Sequence, residues 1–262
     1  MEKISDYISQ KNNNGEKVLS IFLTSGFPDK KKFSELAIAV LESGADMLEI
    51  GFPFSDPLAD GPTIQYSSQK ALEDGINIKK TFDYIKEIRK KSDRPIILMG
   101  YANPVLSYGV NKFAAEANAV GVNGVIIPDV PIDEYNNFFN DAFNGLEKIL
   151  LTTPTTSDER IRKIDELSEG FVYYVSMTGT TGKQIKHNDE IMDPLKKTSS
   201  LIKKNKMLIG FGISNPDDVK TFSPFCSGVI VGSAVINSLI NENRSVTLNL
   251  IRNLKEALNN HN

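Results

Sequence analysis

Met47-Leu48-Glu49-Ile50-Gly51-Phe52 is a short apolar run with one carboxylate inside it. A run of this kind reads as a strand buried on both faces, as in parallel sheets covered by helices. Glu49 is costly in such a strand unless it is paired or has chemical work to do. The chain continues through Pro53-Phe54-Ser55-Asp56-Pro57-Leu58-Ala59-Asp60-Gly61-Pro62, which sets a second acid, Asp60, on a loop rich in Pro and Gly. A strand-end Glu and a loop Asp converging on one pocket are candidate acid–base partners. The plain alternatives are a satisfied structural carboxylate for Glu49 and ordinary turn chemistry for Asp60.

Working outward, similar runs recur at Val18–Thr24, Asp46–Phe52, Pro95–Tyr101, Gly124–Val130, Lys148–Thr153, Phe171–Met177, Met207–Ile213 and Gly228–Gly232. Amphipathic helical patterns separate them, among them Asp29–Ser43, Ile78–Lys91, Ser157–Ser168 and Asp189–Lys204. Strand–helix alternation implies parallel strands joined by crossover helices. Eight such units in 262 residues fit an α/β fold, a single (β/α)8 TIM barrel of about 250 residues. No Gly-x-Gly-x-x-Gly turn follows the first strand, so a dinucleotide-binding sheet has no support. Glu2–Gln10 reads as an extra N-terminal helix and Val246–Leu258 as the last helix, and no Pro- or Ser-rich linker divides residues 1–262. One domain is expected.

The bulk numbers exclude several functions. The formal net charge is -3 and the basic residues are dispersed, which is no nucleic-acid footprint. The lone Cys226 rules out an intrachain disulfide, and only His187 and His261 exist, so a transition-metal site is not expected. The N-terminus has no signal-peptide core and no apolar run is long enough to span a membrane, so a soluble, cytoplasmic protein is expected.

In a barrel, the loops after strands form the catalytic face. Two of them are long: Pro53–Pro62, and Thr178-Gly179-Thr180-Thr181-Gly182-Lys183-Gln184 after the sixth strand. The seventh and eighth strands end in Gly210-Phe211-Gly212-Ile213-Ser214 and Gly232-Ser233-Ala234. Glycines at those two turns let backbone amides approach an anion, and a helix N-terminus adds partial positive charge. Ser233 adds a hydroxyl and Gly182 a further amide. A phosphate-bearing substrate handled by carboxylates is the reading.

The stretch Leu48-Glu49-Ile50-Gly51-Phe52-Pro53-Phe54-Ser55-Asp56-Pro57-Leu58-Ala59-Asp60-Gly61-Pro62-Thr63-Ile64-Gln65 closely resembles the signature of the tryptophan synthase alpha subunit family. Tyr101-Ala102-Asn103-Pro104, Pro128-Asp129-Val130-Pro131, Thr153-Pro154-Thr155, Thr178–Gly182 and the two glycine turns resemble its other loops in order. The resemblance implies reversible retro-aldol cleavage of indole-3-glycerol phosphate to indole and glyceraldehyde 3-phosphate. It implies no cofactor on this chain. It also implies a beta subunit carrying pyridoxal phosphate as partner in an alpha2-beta2 heterotetramer, contacted near Asp56. By the same resemblance Glu49 is the acid–base residue, Asp60 faces the indole N–H, and Tyr173 lies beside the reacting groups. Phe22, Ile126, Thr181 and Phe211 line the indole pocket, and Gly182, Gly212, Gly232 and Ser233 serve the phosphate.

Phe27, Phe171 and Met177 depart from the family's usual residues, which bears on loop closure and partner signalling. Other phosphate-binding barrels, such as ribulose-phosphate epimerases or indole-glycerol-phosphate synthases, carry catalytic patterns of their own. A barrel that only activates a partner would not need the Glu49–Asp60 pair. A stand-alone lyase of the same family is the remaining alternative.

Overall fold

The computed structural model describes residues 2–176, 189–210, 212–241 and 243–259. Its strands are β1 (Val18–Thr24), β2 (Met47–Gly51), β3 (Ile96–Met99), β4 (Gly124–Ile126), β5 (Glu147–Lys148), β6 (Leu150–Thr152), β7 (Phe171–Val175), β8 (Lys206–Gly210) and β9 (Gly228–Val231). They form one sheet in the order β5-β4-β3-β2-β1-β9-β8-β7-β6, and every pairing is parallel.

The two ends of that order are β5 and β6, which only Ile149 separates. They are two halves of one stave. The first half pairs with β4, and the second pairs with β7. The Ile149 amide still donates to the Val125 carbonyl at 3.0 Å. The sheet therefore closes on itself, and the strand expected at Lys148–Thr153 is the stave that completes an eight-fold barrel.

The expected crossover helices lie at Phe33–Glu42, Ile78–Arg89, Asp158–Leu167 and Asp189–Leu201. Asp158–Leu167 starts where its sequence says, with the Ser157 hydroxyl accepting from the Arg160 amide at 3.4 Å. Further helices at Pro62–Glu73, Ala102–Tyr108, Val110–Val120, Pro216–Phe222 and Ser233–Asn241 complete the outer ring. The last helix, Arg244–Asn259, buries Ile251, Leu254, Ala257 and Leu258.

The extra helix at Ile4–Asn13 stoppers the N-terminal mouth of the barrel. Ile4 and Ile8 are fully buried. The Ile4 amide donates to the buried Glu147 carboxylate at the start of β5, and the Ser5 hydroxyl donates to it at 3.0 Å. A side-chain carboxylate on the first amides of a helix satisfies donors that have no partner within the helix. With this end stoppered, the barrel interior opens at the C-terminal ends of the strands. One apolar core runs from Ile4 to Leu258. Cys226 is part of the packing, its thiol turned to the Phe222 carbonyl at 3.5 Å. Among the described residues, no helix is long and apolar enough to cross a membrane.

Candidate active site

Glu49 sits near the end of β2 and is fully buried. In the β1–β2 register it lies level with Phe22, two rungs before the strand ends at Gly51. Its Oε1 accepts a hydrogen bond from the Ser20 hydroxyl at 3.2 Å. Its Oε2 is buried with no hydrogen-bond partner among the described residues. Burial pushes the carboxyl up to about 8, with the Ser20 hydrogen bond acting in the opposite direction. A carboxyl so placed holds its proton at neutrality, because ionising it away from water costs more than the one hydrogen bond returns.

Asp60 rides on the loop between β2 and the helix at Pro62–Glu73. That loop is held at several points. The Ala59 amide donates to the Tyr101 hydroxyl at 3.0 Å, and the Gln65 side chain donates to the Asp60 carbonyl at 2.9 Å. Behind it, the Thr24 and Ser67 hydroxyls meet at 2.6 Å, and Thr63 reaches Asn237 at 3.1 Å. These contacts lock the helix against β1 and against Ser233–Asn241. Loss of water raises the Asp60 carboxyl to about 6, and a hydrogen bond from the Tyr101 hydroxyl opposes that rise. Asp60 is therefore largely ionised at neutrality, where Glu49 is largely neutral. One acid and one anion are separated by environment alone; Glu49 lies below the cavity and does not line it, while Asp60 does.

Tyr173 on β7 is the third polar group. Its hydroxyl is held well above its ordinary value by burial first, then by the charges of Glu49 and Asp60. It remains a neutral donor in the working pH range. It fits because β8 carries a glycine two residues beyond its register partner Leu208: a Cβ on Gly210 would overlap the Tyr173 ring and hydroxyl. Phe171, two residues earlier, packs against the Tyr173 ring with centroids 6.3 Å apart.

Asp60 and Tyr173 line a solvent-open cavity with Phe22, Ile64, Met99, Gly212, Ile213, Ile230, Gly232 and Ser233. A smaller hollow adjoins it and shares Phe22, Asp60 and Met99. One side is an apolar plate with a carboxylate at its edge. The other side is glycine backbone at two strand–helix turns. Gly212 has φ of 76°, a conformation that side chains rarely adopt. Ser233 opens the helix Ser233–Asn241, whose first amides have no partner within the helix. By contrast, the Ser214 amide and hydroxyl are both committed to Asp218 at 2.8 Å. The amides left for an anion at the first turn are accordingly those nearer Gly212.

Most of the expected site residues thus converge. Phe22, Asp60, Tyr173, Gly212, Gly232 and Ser233 share one cavity, and Glu49 lies in the layer beside Phe22. Ile126 is fully buried at the end of β4 and does not line the cavity; Met99, its register partner on β3, does. Asp56 is exposed on the rim beside Leu58, which is 93% exposed. Thr181, Gly182 and Phe211 lie outside the described residues, as do the rest of the Thr178–Gln184 stretch, Met177 and His187. Phe27 is buried and meets Tyr66 edge-on at 6.4 Å.

Two contributors escaped the reading of the sequence. Tyr101 was visible only as part of a loop motif, though a Tyr at a strand end is a natural partner for a loop acid. Ser20 was passed over inside an apolar strand, where a lone polar residue is itself a signal.

The family model for the tryptophan synthase alpha chain matches residues 8–261. A tryptophan synthase alpha chain of Christiangramia forsetii is 44% identical over 238 residues, covering 90% of this chain and 93% of that one. That of Petrotoga mobilis is 40% identical over 259 residues, covering 97% and 96%. Among solved structures, a tryptophan synthase alpha chain from Legionella pneumophila superposes with a TM-score of 0.90 at 32% identity, covering 100% of this chain and 98% of that one. A Mycobacterium tuberculosis tryptophan synthase structure superposes with a TM-score of 0.89 at 29% identity, covering 98% of each chain.

Proposed function

Because the chain belongs to the tryptophan synthase alpha chain family, we propose that Glu49 and Asp60 divide between them the proton transfer and charge stabilisation of that family's alpha reaction. The reaction is the retro-aldol cleavage of indole-3-glycerol phosphate to indole and glyceraldehyde 3-phosphate, in L-tryptophan biosynthesis. It breaks the bond between indole C3 and the glycerol chain. C3 must gain a proton, so that the ring can leave, and the C3′ hydroxyl must lose one, so that it can become the aldehyde.

Glu49 is the proton carrier. It holds a proton near neutrality and gives it to C3, placing positive charge on the indolenine ring. As a carboxylate it then takes the proton of the C3′ hydroxyl while the C–C bond breaks. The residue ends as it began, protonated. Asp60 stays ionised and faces the ring N–H, where the positive charge develops. A fixed anion in a dry site acts on that charge far more strongly than one in water. Tyr173 donates a neutral hydroxyl to the oxygen of the reacting carbon. Phe22, Ile64, Met99 and Ile230 enclose the ring, and the turns at Gly212 and Gly232–Ser233 hold the phosphate with backbone amides and the Ser233 hydroxyl.

The C–C bond breaks with only proton transfers to assist it, so in this reading the chain needs no cofactor of its own. Its partner in this reading is the tryptophan synthase beta subunit, which carries pyridoxal phosphate, in an alpha2-beta2 heterotetramer. Exposed Leu58 and Asp56, on the loop that also carries Asp60, form the contact that links docking to the active site. The setting is the cytoplasm.

The observation that supports the mechanism is the placing of two carboxyls around Tyr173, Glu49 fully buried with one oxygen unpartnered among the described residues and Asp60 on the cavity wall. Indole release by Glu49→Gln tests it. Turnover should fall by about 10²–10⁴ or more, with binding of a glycerol-phosphate ligand retained. A variant within tenfold of wild type would remove Glu49 from the chemistry.

A further inference from the structure

Ser20 breaks the apolar run Val18-Leu19-Ser20-Ile21-Phe22-Leu23-Thr24, and the barrel leaves it no water, since it is fully buried. Side chains two apart on a strand share a face, so Ser20 points inward with Phe22. Its register partner on β9 is Ile230, which lines the cavity as Phe22 does. Ser20 thus occupies the interior layer one step below Phe22 and Glu49. A hydroxyl in a dry layer must find an acceptor, and it finds Glu49 Oε1 at 3.2 Å. Glu49 Oε2 has no partner among the described residues.

Resting on the reading of Glu49 as proton carrier, we propose that Ser20 is a positioning residue that selects which oxygen of Glu49 works, fixing the transferable proton on Oε2. A neutral carboxyl has one O–H, and the oxygen that accepts from Ser20 is the carbonyl-like one. The proton therefore sits on the oxygen without a partner, which is free to turn toward substrate. Once Oε2 has passed that proton to C3, the Ser20 bond becomes a hydrogen bond to a carboxylate, which is stronger. Ser20 so stabilises the short-lived anion that must next accept the C3′ hydroxyl proton. It holds the carboxyl from below in both states and touches no substrate atom. Its other reading, a small residue chosen to fit under Phe22, has no need of the hydroxyl.

The test is steady-state indole release against pH for Ser20→Ala, Ser20→Thr and Ser20→Val, with Glu49→Gln beside them. Thr and Val have the same shape and differ in the hydroxyl, so the pair separates hydrogen bonding from packing. Ser20→Ala should lose about tenfold in kcat, the worth of one hydrogen bond to a charged group, with KM within about twofold. The basic limb of its kcat/KM profile should move up by about one pH unit, because the ionised carboxylate has lost a donor. Ser20→Thr should recover most of kcat and the limb position, and Ser20→Val should not. Wild-type kcat with an unmoved limb in Ser20→Ala would overturn the proposal, and so would equal defects in the Thr and Val variants. If Glu49→Gln itself turned over normally, the role of Glu49 would have failed, whatever the Ser20 variants did.

Discussion

Glu49 and Asp60 are the same functional group doing opposite work, and the difference lies in what surrounds each. Glu49 is enclosed in the barrel with one hydrogen bond among the described residues, whereas Asp60 is half-buried and braced by Tyr101. This has a consequence for stability. The unfolded chain ionises Glu49 above its ordinary value near 4.5, while the fold holds it neutral up to about 8. The native state then binds more protons than the unfolded state, so stability falls as pH rises through that window. Glu49→Gln removes this cost. Its melting temperature should match wild type near pH 4 and exceed it by a widening margin up to pH 9. A difference in Tm that did not change with pH would mean that Glu49 ionises freely in the fold. Tyr101→Phe provides the companion case. Losing its hydrogen bond should raise the Asp60 carboxyl, so the acidic limb of the kcat/KM profile should move up. An unmoved limb would show that Tyr101 braces the loop without acting on the carboxylate.

At the scale of elements, the phosphate end of the cavity depends on two strand–helix turns. A Cβ at Gly232 would stand 3.3 Å from the Phe22 Cβ, a contact the neighbour can relieve by a small shift. Gly212 lies at φ of 76°, where a side chain is strained. Gly232→Val should therefore weaken substrate binding by at least tenfold with little change in Tm, and Gly212→Val should lose both. Free indole, which carries no phosphate, should bind Gly232→Val almost normally; an equal loss of indole binding would contradict the phosphate assignment. These turns were legible in the sequence because, though glycine at a strand–helix turn is common, the pair falls after the seventh and eighth strands, where a barrel builds a phosphate site. So were Val18–Thr24 and the capped helix after Ser157, whose patterns are local. The stave at residues 147–152 was legible as a strand, but its interruption at Ile149 was not, since its two halves pair with different neighbours, β4 and β7. The helices Ala102–Tyr108 and Val110–Val120 were hidden for another reason. Gly109, at φ of 94°, divides them, and Ala102–Tyr108, with 7 residues, is too short to show a clear helical period. Ser20 escaped notice because its partner lies on another strand, at a distance in sequence that no local pattern spans.

The whole molecule is a stoppered vessel. The helix Ile4–Asn13 closes one mouth, the loops at the other carry the acid on the rim, and the dry interior between them holds Glu49 neutral. Leu58 stands exposed on the same loop as Asp60, so a beta subunit docked there would bias the position of Asp60. Leu58→Glu should weaken association with the beta subunit by about tenfold or more and reduce its stimulation of cleavage, leaving the rate of the free chain near wild type. Unchanged association would move the contact elsewhere. The most direct test of the account is the pH dependence of kcat/KM for indole release by the free chain, which reports the ionisations of the unliganded enzyme. The structure predicts a bell, rising as Asp60 ionises near about 6 and falling as Glu49 loses its proton near about 8, with the acidic limb absent from the residual activity of Asp60→Asn. A profile still rising through pH 8, or an acidic limb that survives in Asp60→Asn, would contradict the division of labour between the two carboxylates.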